Sequence, residues 1–149
     1  MNEQELASLV DLLLPYIGLL VIGSLVYLLL TLVGNWVLFM KAGEPGWKSI
    51  IPYYNLYTEF DLFWSTKAFW IIIGMAVLTG ICSAMDHTVA GIISLILNLL
   101  VSVAYYIVLP IKVAKAFDRG ILFGIGIILF QPIFKLILGL GNSYYQGPQ

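Results

Sequence analysis

Four long apolar runs constrain this chain more than any other feature. They cover residues 16–40, 68–85, 89–111 and 121–140 of the 149. A helix needs about 20 predominantly apolar residues to cross a bilayer, and each run is near that length. The composition fits lipid as the solvent. The chain is 61% hydrophobic and 10% charged, where soluble domains carry about 25% charged residues. A water-soluble chain of this size has too little interior to hide that much apolar surface. The expected fold is therefore all-α integral membrane. It forms one domain over residues 1–149, with four transmembrane helices and one interfacial or re-entrant inner loop.

Basic residues orient such a bundle, because cytoplasmic loops collect Lys and Arg. The N-terminal stretch has none and carries Glu3, Glu5 and Asp11. The loop after the first run holds Lys41, Lys48 and Lys67. The link between the second and third runs, Asp86-His87-Thr88, holds none. The next link holds Lys112, Lys115 and Arg119, and the C-terminal tail holds none. Four crossings with both termini outside satisfy that alternation. The acidic start does not resemble the basic n-region of a secretory signal, so the first run reads as a retained helix.

The first basic loop is the longest connection. Gly43 is placed to stop the first helix in a left-handed conformation. Pro45-Gly46 suits the centre of a type II turn. Beyond Asn55, the residues Leu56, Phe60 and Phe63 recur at helical spacing, which predicts a short helix in the interface. The three-residue link makes the second and third helices an antiparallel hairpin. Ala76, Gly80 and Ala84 on one, and Ala90, Ser94, Asn98 and Ser102 on the other, are expected to meet at its seam. Pro132 should bend the fourth helix.

Few residues carry chemistry. The net charge of −1 excludes a strongly basic nucleic-acid binder. Cys82 is the single cysteine and His87 the single histidine, so no metal site and no cofactor is expected. No hydrolase motif is present, and Glu44, Glu59 and Asp61 read as solvated loop charges. The candidate intramembrane polar residues are Ser94, Asn98, Ser102, Gln131 and Lys135. Polar groups at that depth are costly unless paired. They either bond between helices or line a solute path. Lys135 is the sharpest anomaly. It lies five residues from Leu140, about 7–8 Å along a helix, and is expected to snorkel outward. The alternative is an interior role beside Gln131. The candidate docking surface of the inner loop is Trp47, Tyr53, Tyr54, Asn55 and Tyr57, since aromatic rings concentrate at that face.

The string Lys41-Ala-Gly-Glu-Pro-Gly-Trp47, followed by Ile50-Ile-Pro-Tyr-Tyr-Asn55-Leu-Tyr57, resembles a family of small bacterial multi-pass membrane proteins. That family is catalogued as a domain of unknown function, and some of its members are labelled signal peptidase-like. Ala114-Lys-Ala-Phe117 and the stretch from Gly124 to Tyr145 are similar to its second half. The resemblance implies a multi-pass helical fold and a bacterial cytoplasmic membrane. It supplies no catalytic residue, and no peptidase motif is matched here. Lys135 stands where the family usually has an apolar residue. Ser65-Thr66-Lys67 stands where the family tends to have Gly and Pro. The expected role is a non-enzymatic membrane component that binds itself or a membrane-protein partner. The alternatives are an oligomeric channel or transporter with a polar path along the third and fourth helices, and an interfacial enzyme acting on lipid or peptide.

Overall fold

The computed structural model describes residues 3–85 and 88–149, with side chains from residue 11 onward. The Asp86–His87 link and the side chains of Glu3 and Glu5 lie outside the described residues. The described chain is helical, without a strand. The first helix, α1, runs from Glu3 to Lys41. Glycine ends it as expected. Gly43 has φ 88°, its N–H donates to Met40 O at 3.2 Å, and the Glu44 N–H donates to Phe39 O at 2.9 Å. This is the paired closure of a left-handed cap. Pro45-Gly46 does not form the predicted turn. Gly46 opens a 3-10 turn, Gly46–Ser49. A Cβ there would lie 2.5 Å from the Trp36 ring, so only glycine fits against that ring.

The helix α2, Pro52–Phe63, contains the expected helical stretch beyond Asn55 but begins earlier, with proline in its first turn, where no N–H is needed. It is not a helix lying free in the interface. Thr58, Glu59, Phe60, Leu62 and Phe63 are buried. Ser65 then caps α3, Thr66–Ser83, by accepting from the Ala68 N–H at 3.1 Å. Asp61 accepts from the Thr66 hydroxyl. The return rod comprises α4, Thr88–Val103, a π segment, Ala104–Val108, and α5, Leu109–Ala116. It extends the third run five residues past its predicted end at 111. The α3–α4 pair is antiparallel, with the Ser94 hydroxyl donating to Thr79 O at 3.4 Å. Its seam matches the predicted one only in part: Ala90 is buried and Ser94 reaches α3 as expected. Gly80 is exposed, with open space where its Cβ would stand, so Gly80 does not meet α4.

The fourth run is two helices. The segment α6, Ile121–Leu129, and the segment α7, Gln131–Leu140, are separated by Phe130 at φ −135°, ψ 59°. Pro132 sits in the first turn of α7, where its missing N–H costs no bond. The two segments fold back on each other. The rings of Phe123 and Phe134 lie 5.2 Å apart. Residues eleven apart on one straight helix are separated by about 16 Å. A Cβ on Gly126 would fall 2.2 Å from the Phe134 ring, which is why that position is glycine. Each arm is roughly 14–15 Å long, half the ~30 Å hydrocarbon core.

The direction of each arm follows from its neighbours. Gly124 packs on Ile111 and Ala114, so α6 runs back along α5. Gly34 packs on Pro132 and Lys135, and Gly139 on Val37 and Leu38. Residue numbers rise together, so α7 runs parallel to α1. Both ends of the hairpin therefore lie at the basic-loop end of the molecule, and its tip lies beside Gly23, Tyr27 and Leu30 of α1.

This corrects the expected four spans. Among the described residues three helices are long and apolar enough to cross a membrane: Asp11–Lys41, Thr66–Ser83 and Thr88–Ala116. It also corrects the expected position of the tail. The C-terminal residues return to the basic-loop end. The Gln146 N–H donates to Ala116 O at 2.7 Å, and the Tyr145 hydroxyl to Leu62 O at 2.6 Å. Burial, with Asp61 and Glu44 nearby, raises the Tyr145 phenol above its ordinary pKa. The described start of α1 and the C-terminal tail are thus at opposite ends of the bundle.

The core sits at the basic-loop end. It gathers Leu38, Phe39, Phe60, Phe63, Phe69, Val113 and Phe117 from α1, α2, α3 and α5. Away from it α3 and α4 pair with each other, and residues 11–30 of α1 are exposed throughout.

Candidate functional site

The anomalous lysine is the centre of the site. Lys135 is 1% exposed and its Nζ lies 2.5 Å from Glu59 Oε1, with Glu59 2% exposed. The expected snorkelling is overturned. The Lys135 Cβ faces Gly34 of α1, and the stem runs into the bundle toward α2. The hairpin reversal explains this: on a straight fourth helix Lys135 would approach the far membrane surface, whereas here α7 carries it back toward α2. The interior partner is Glu59, from the inner loop, rather than the Gln131 of the alternative reading. A charge inside the bundle costs several kcal/mol unless it is paired, and here each neutralises the other.

A second polar bond lies beside the pair. Asn35 Nδ2 donates to Asn55 Oδ1 at 2.9 Å. Asn35 follows Gly34 on α1, and Asn55 precedes Glu59 by one turn of α2. One face of α2 thus presents an amide to α1 and a carboxylate to α7. Asn55 belongs to the expected docking surface, yet it faces inward. Tyr57 also packs inward, edge-on to the Phe69 ring at 5.2 Å. Trp47, Tyr53 and Tyr54 remain exposed, with Tyr54 edge-on to both of the others.

Lys41 closes the open end of α7. Its Nζ donates to Leu138 O and Gly141 O, each at 2.6 Å. These carbonyls belong to the last turn of α7 and its cap, where a cation is favoured.

A cavity of about 420 Å³ opens beside the ion pair, between α2, α3 and the return rod. Glu59, Phe60 and Ile72 form its buried floor, and Pro52 and Ala76 its exposed rim. Tyr105, on the π segment, borders it. The Tyr105 hydroxyl and Asn55 Nδ2 have no hydrogen-bond partner among the described residues. Single π turns occur often at functional sites, and this one sets the register at which Tyr105 reaches the cavity wall.

The remaining polar candidates do not converge on it. Ser94, Asn98 and Ser102 line a groove along α4 with Gly91, Leu95 and Leu99. Asn98 is exposed there, and its amide has no partner among the described residues. Gln131 is half-buried at the hairpin tip and does not border that groove. No single protomer joins these residues into one path. Glu59 was the functional residue missed from sequence, where it reads as a loop acid. Its four-residue spacing from Asn55 was the available signal. Among the described residues no cluster of His, Cys, Asp and Glu could hold a metal ion.

The model of the Family of unknown function (DUF5684) matches residues 47–148, so the chain belongs to that family. The matched part includes α2, the ion pair, the cavity and the hairpin. No curated protein matches, and no solved structure matches.

Proposed function

From the premise of that membership, we propose that this protein is a non-enzymatic membrane component that assembles with further copies of itself through α4. Three helices cross the bilayer, and α6–α7 dips in from the basic-loop side and returns. By the bias of Lys and Arg toward the cytoplasm, the basic loops and the C-terminal tail are inside, and the N-terminus is outside. The resemblance in the motif supports a bacterial cytoplasmic membrane as the setting.

The observation that carries self-association is the exposed Asn98, the one carboxamide on a helix whose other polar residues are Thr88, Ser94 and Ser102. In hydrocarbon an unpaired amide costs several kcal/mol. A carboxamide both donates and accepts. Two copies related by a two-fold axis can therefore satisfy each other, with Ser94 and Ser102 allowing close approach. Interhelical bonds of this kind contribute about 0.6–2 kcal/mol in membranes, so the dimer should also draw on packing along the groove.

The test is disulfide crosslinking in native membranes, on a Cys82→Ala background. Single cysteines at Leu95 and Leu99 should give dimers on mild oxidation, and adding Asn98→Leu should reduce them several-fold. Crosslinks at Leu20 or Val77 with none at Leu95 and Leu99 would reject α4 as the interface.

A further inference from the structure

We infer that the cavity beside Glu59 binds the headgroup of a neutral, hydroxyl-bearing lipid, with the acyl chain leaving past Ala76. The inference is independent of self-association, because every lining residue belongs to one copy. It begins from charge. Lys135 already neutralises Glu59 at 2.5 Å. A cationic or anionic headgroup would add an unpaired charge beside a buried, balanced pair, and in a weakly polar interior that is expensive. A hydroxyl adds none.

Hydrogen-bonding chemistry points the same way. The cavity is lined by Glu59, whose carboxylate only accepts, and by Asn55, whose Nδ2 only donates. It also offers the Tyr105 phenol, which does either. A hydroxyl both donates and accepts, so one group can satisfy an acceptor and a donor together. The rest of the wall is hydrocarbon: Leu56, Phe60, Ile72, Ile73 and Val101. A few polar groups in an apolar cavity of some hundreds of Å³ is the usual form of a small-molecule site.

Position completes the argument. Pro52 begins α2 at the basic-loop end, where headgroups lie. Ala76 is ten residues into α3 and exposed, about 15 Å deeper along the helix axis. The cavity therefore extends from headgroup level toward acyl depth. A lipid with its hydroxyl at Glu59 can leave its chain among its neighbours. Monoacylglycerols, diacylglycerols and isoprenoid alcohols share this chemistry.

The test uses the full chain in phosphatidylcholine nanodiscs, with a photoactivatable monoacylglycerol carrying its diazirine on the acyl chain. Crosslinks should map to the deeper wall, residues 72–76 and Val101. Unlabelled monooleoylglycerol and farnesol should compete, with the lower effective concentration marking the preferred source. Oleate and oleylamine should compete at least tenfold less well. Ala76→Phe fills the mouth from an exposed position and should cut labelling more than fivefold, and Tyr105→Phe should cut it about threefold. Should Ala76→Phe lower the thermal midpoint, Val101→Phe fills the same space from α4 and carries the same expectation. Parental labelling in folded Ala76→Phe or Val101→Phe would overturn the inference, as would equal competition by oleate.

Discussion

Lys135 and Glu59 carry opposite instructions when read apart. In sequence the lysine is a liability inside an apolar run, and the glutamate is a loop charge beside a membrane. Folding makes each the remedy for the other, because α7 turns back toward the loop that holds Glu59. The energetic consequence is asymmetric. Replacing a buried pair together can be neutral, whereas removing one partner costs about 3–5 kcal/mol. Lys135→Met should therefore be strongly destabilising, with a clear drop in thermal midpoint in detergent micelles. Lys135→Met with Glu59→Leu should recover most of the loss. A neutral Lys135→Met would mean that the amine reaches a headgroup and that the pair contributes nothing.

The element that most changes the reading is the α6–α7 hairpin. Periodicity over residues 121–140 describes a single helix, and the apolar run is long enough to span. What breaks it is local. Phe130 leaves helical geometry just before Pro132, and Gly124, Gly126 and Gly139 remove the side chains that would keep neighbours apart. Pro132 pointed to a bend, and its place in the first turn of α7 makes that bend an ending and a new start. Gly126→Leu should drive a branched side chain into Phe134 at the closest point of the hairpin. Overpacking costs about 1–3 kcal/mol, so its thermal midpoint should fall by several degrees. Gly126→Leu with Phe134→Ala should regain part of it. If Gly126→Leu melts like the parent, α6 and α7 are not in contact there.

At the scale of the whole molecule, a hairpin in place of a crossing moves the tail from one side of the membrane to the other. Cysteine accessibility reads this directly. On a Cys82→Ala background, a cysteine at Met85 should react with an impermeant thiol reagent on intact cells. Cysteines at Lys115 and at Gln146 should both be protected until the membrane is permeabilised. Reaction at Gln146 with protection at Lys115 would restore a fourth crossing. The shape also assigns roles to regions. Packing is concentrated at the basic-loop end, where α1, α2, α5, α7 and the tail meet. The far half of α1 and the outer face of α4 remain bare. A molecule with a rigid head and bare spans can keep its own fold while its helices meet other copies.

The amino-acid sequence alone determined the helical class, the apolar lengths, the Gly43 stop, a short helix in the first basic loop and the side on which basic residues gather. These follow from local properties: side-chain transfer to lipid, backbone freedom at glycine, and the helical spacing of apolar residues. The same local signals also marked Lys135 and Ser94 as groups needing partners. Tertiary structure alone decided that these are Glu59 and the Thr79 carbonyl. The pairing of Lys135 with Glu59 joins residues 76 positions apart, and no periodicity encodes it. The reversal at Phe130 was hidden for the same reason. Two half-length apolar helices and one full-length helix have the same hydropathy, and only the packing of α7 against α1 distinguishes them.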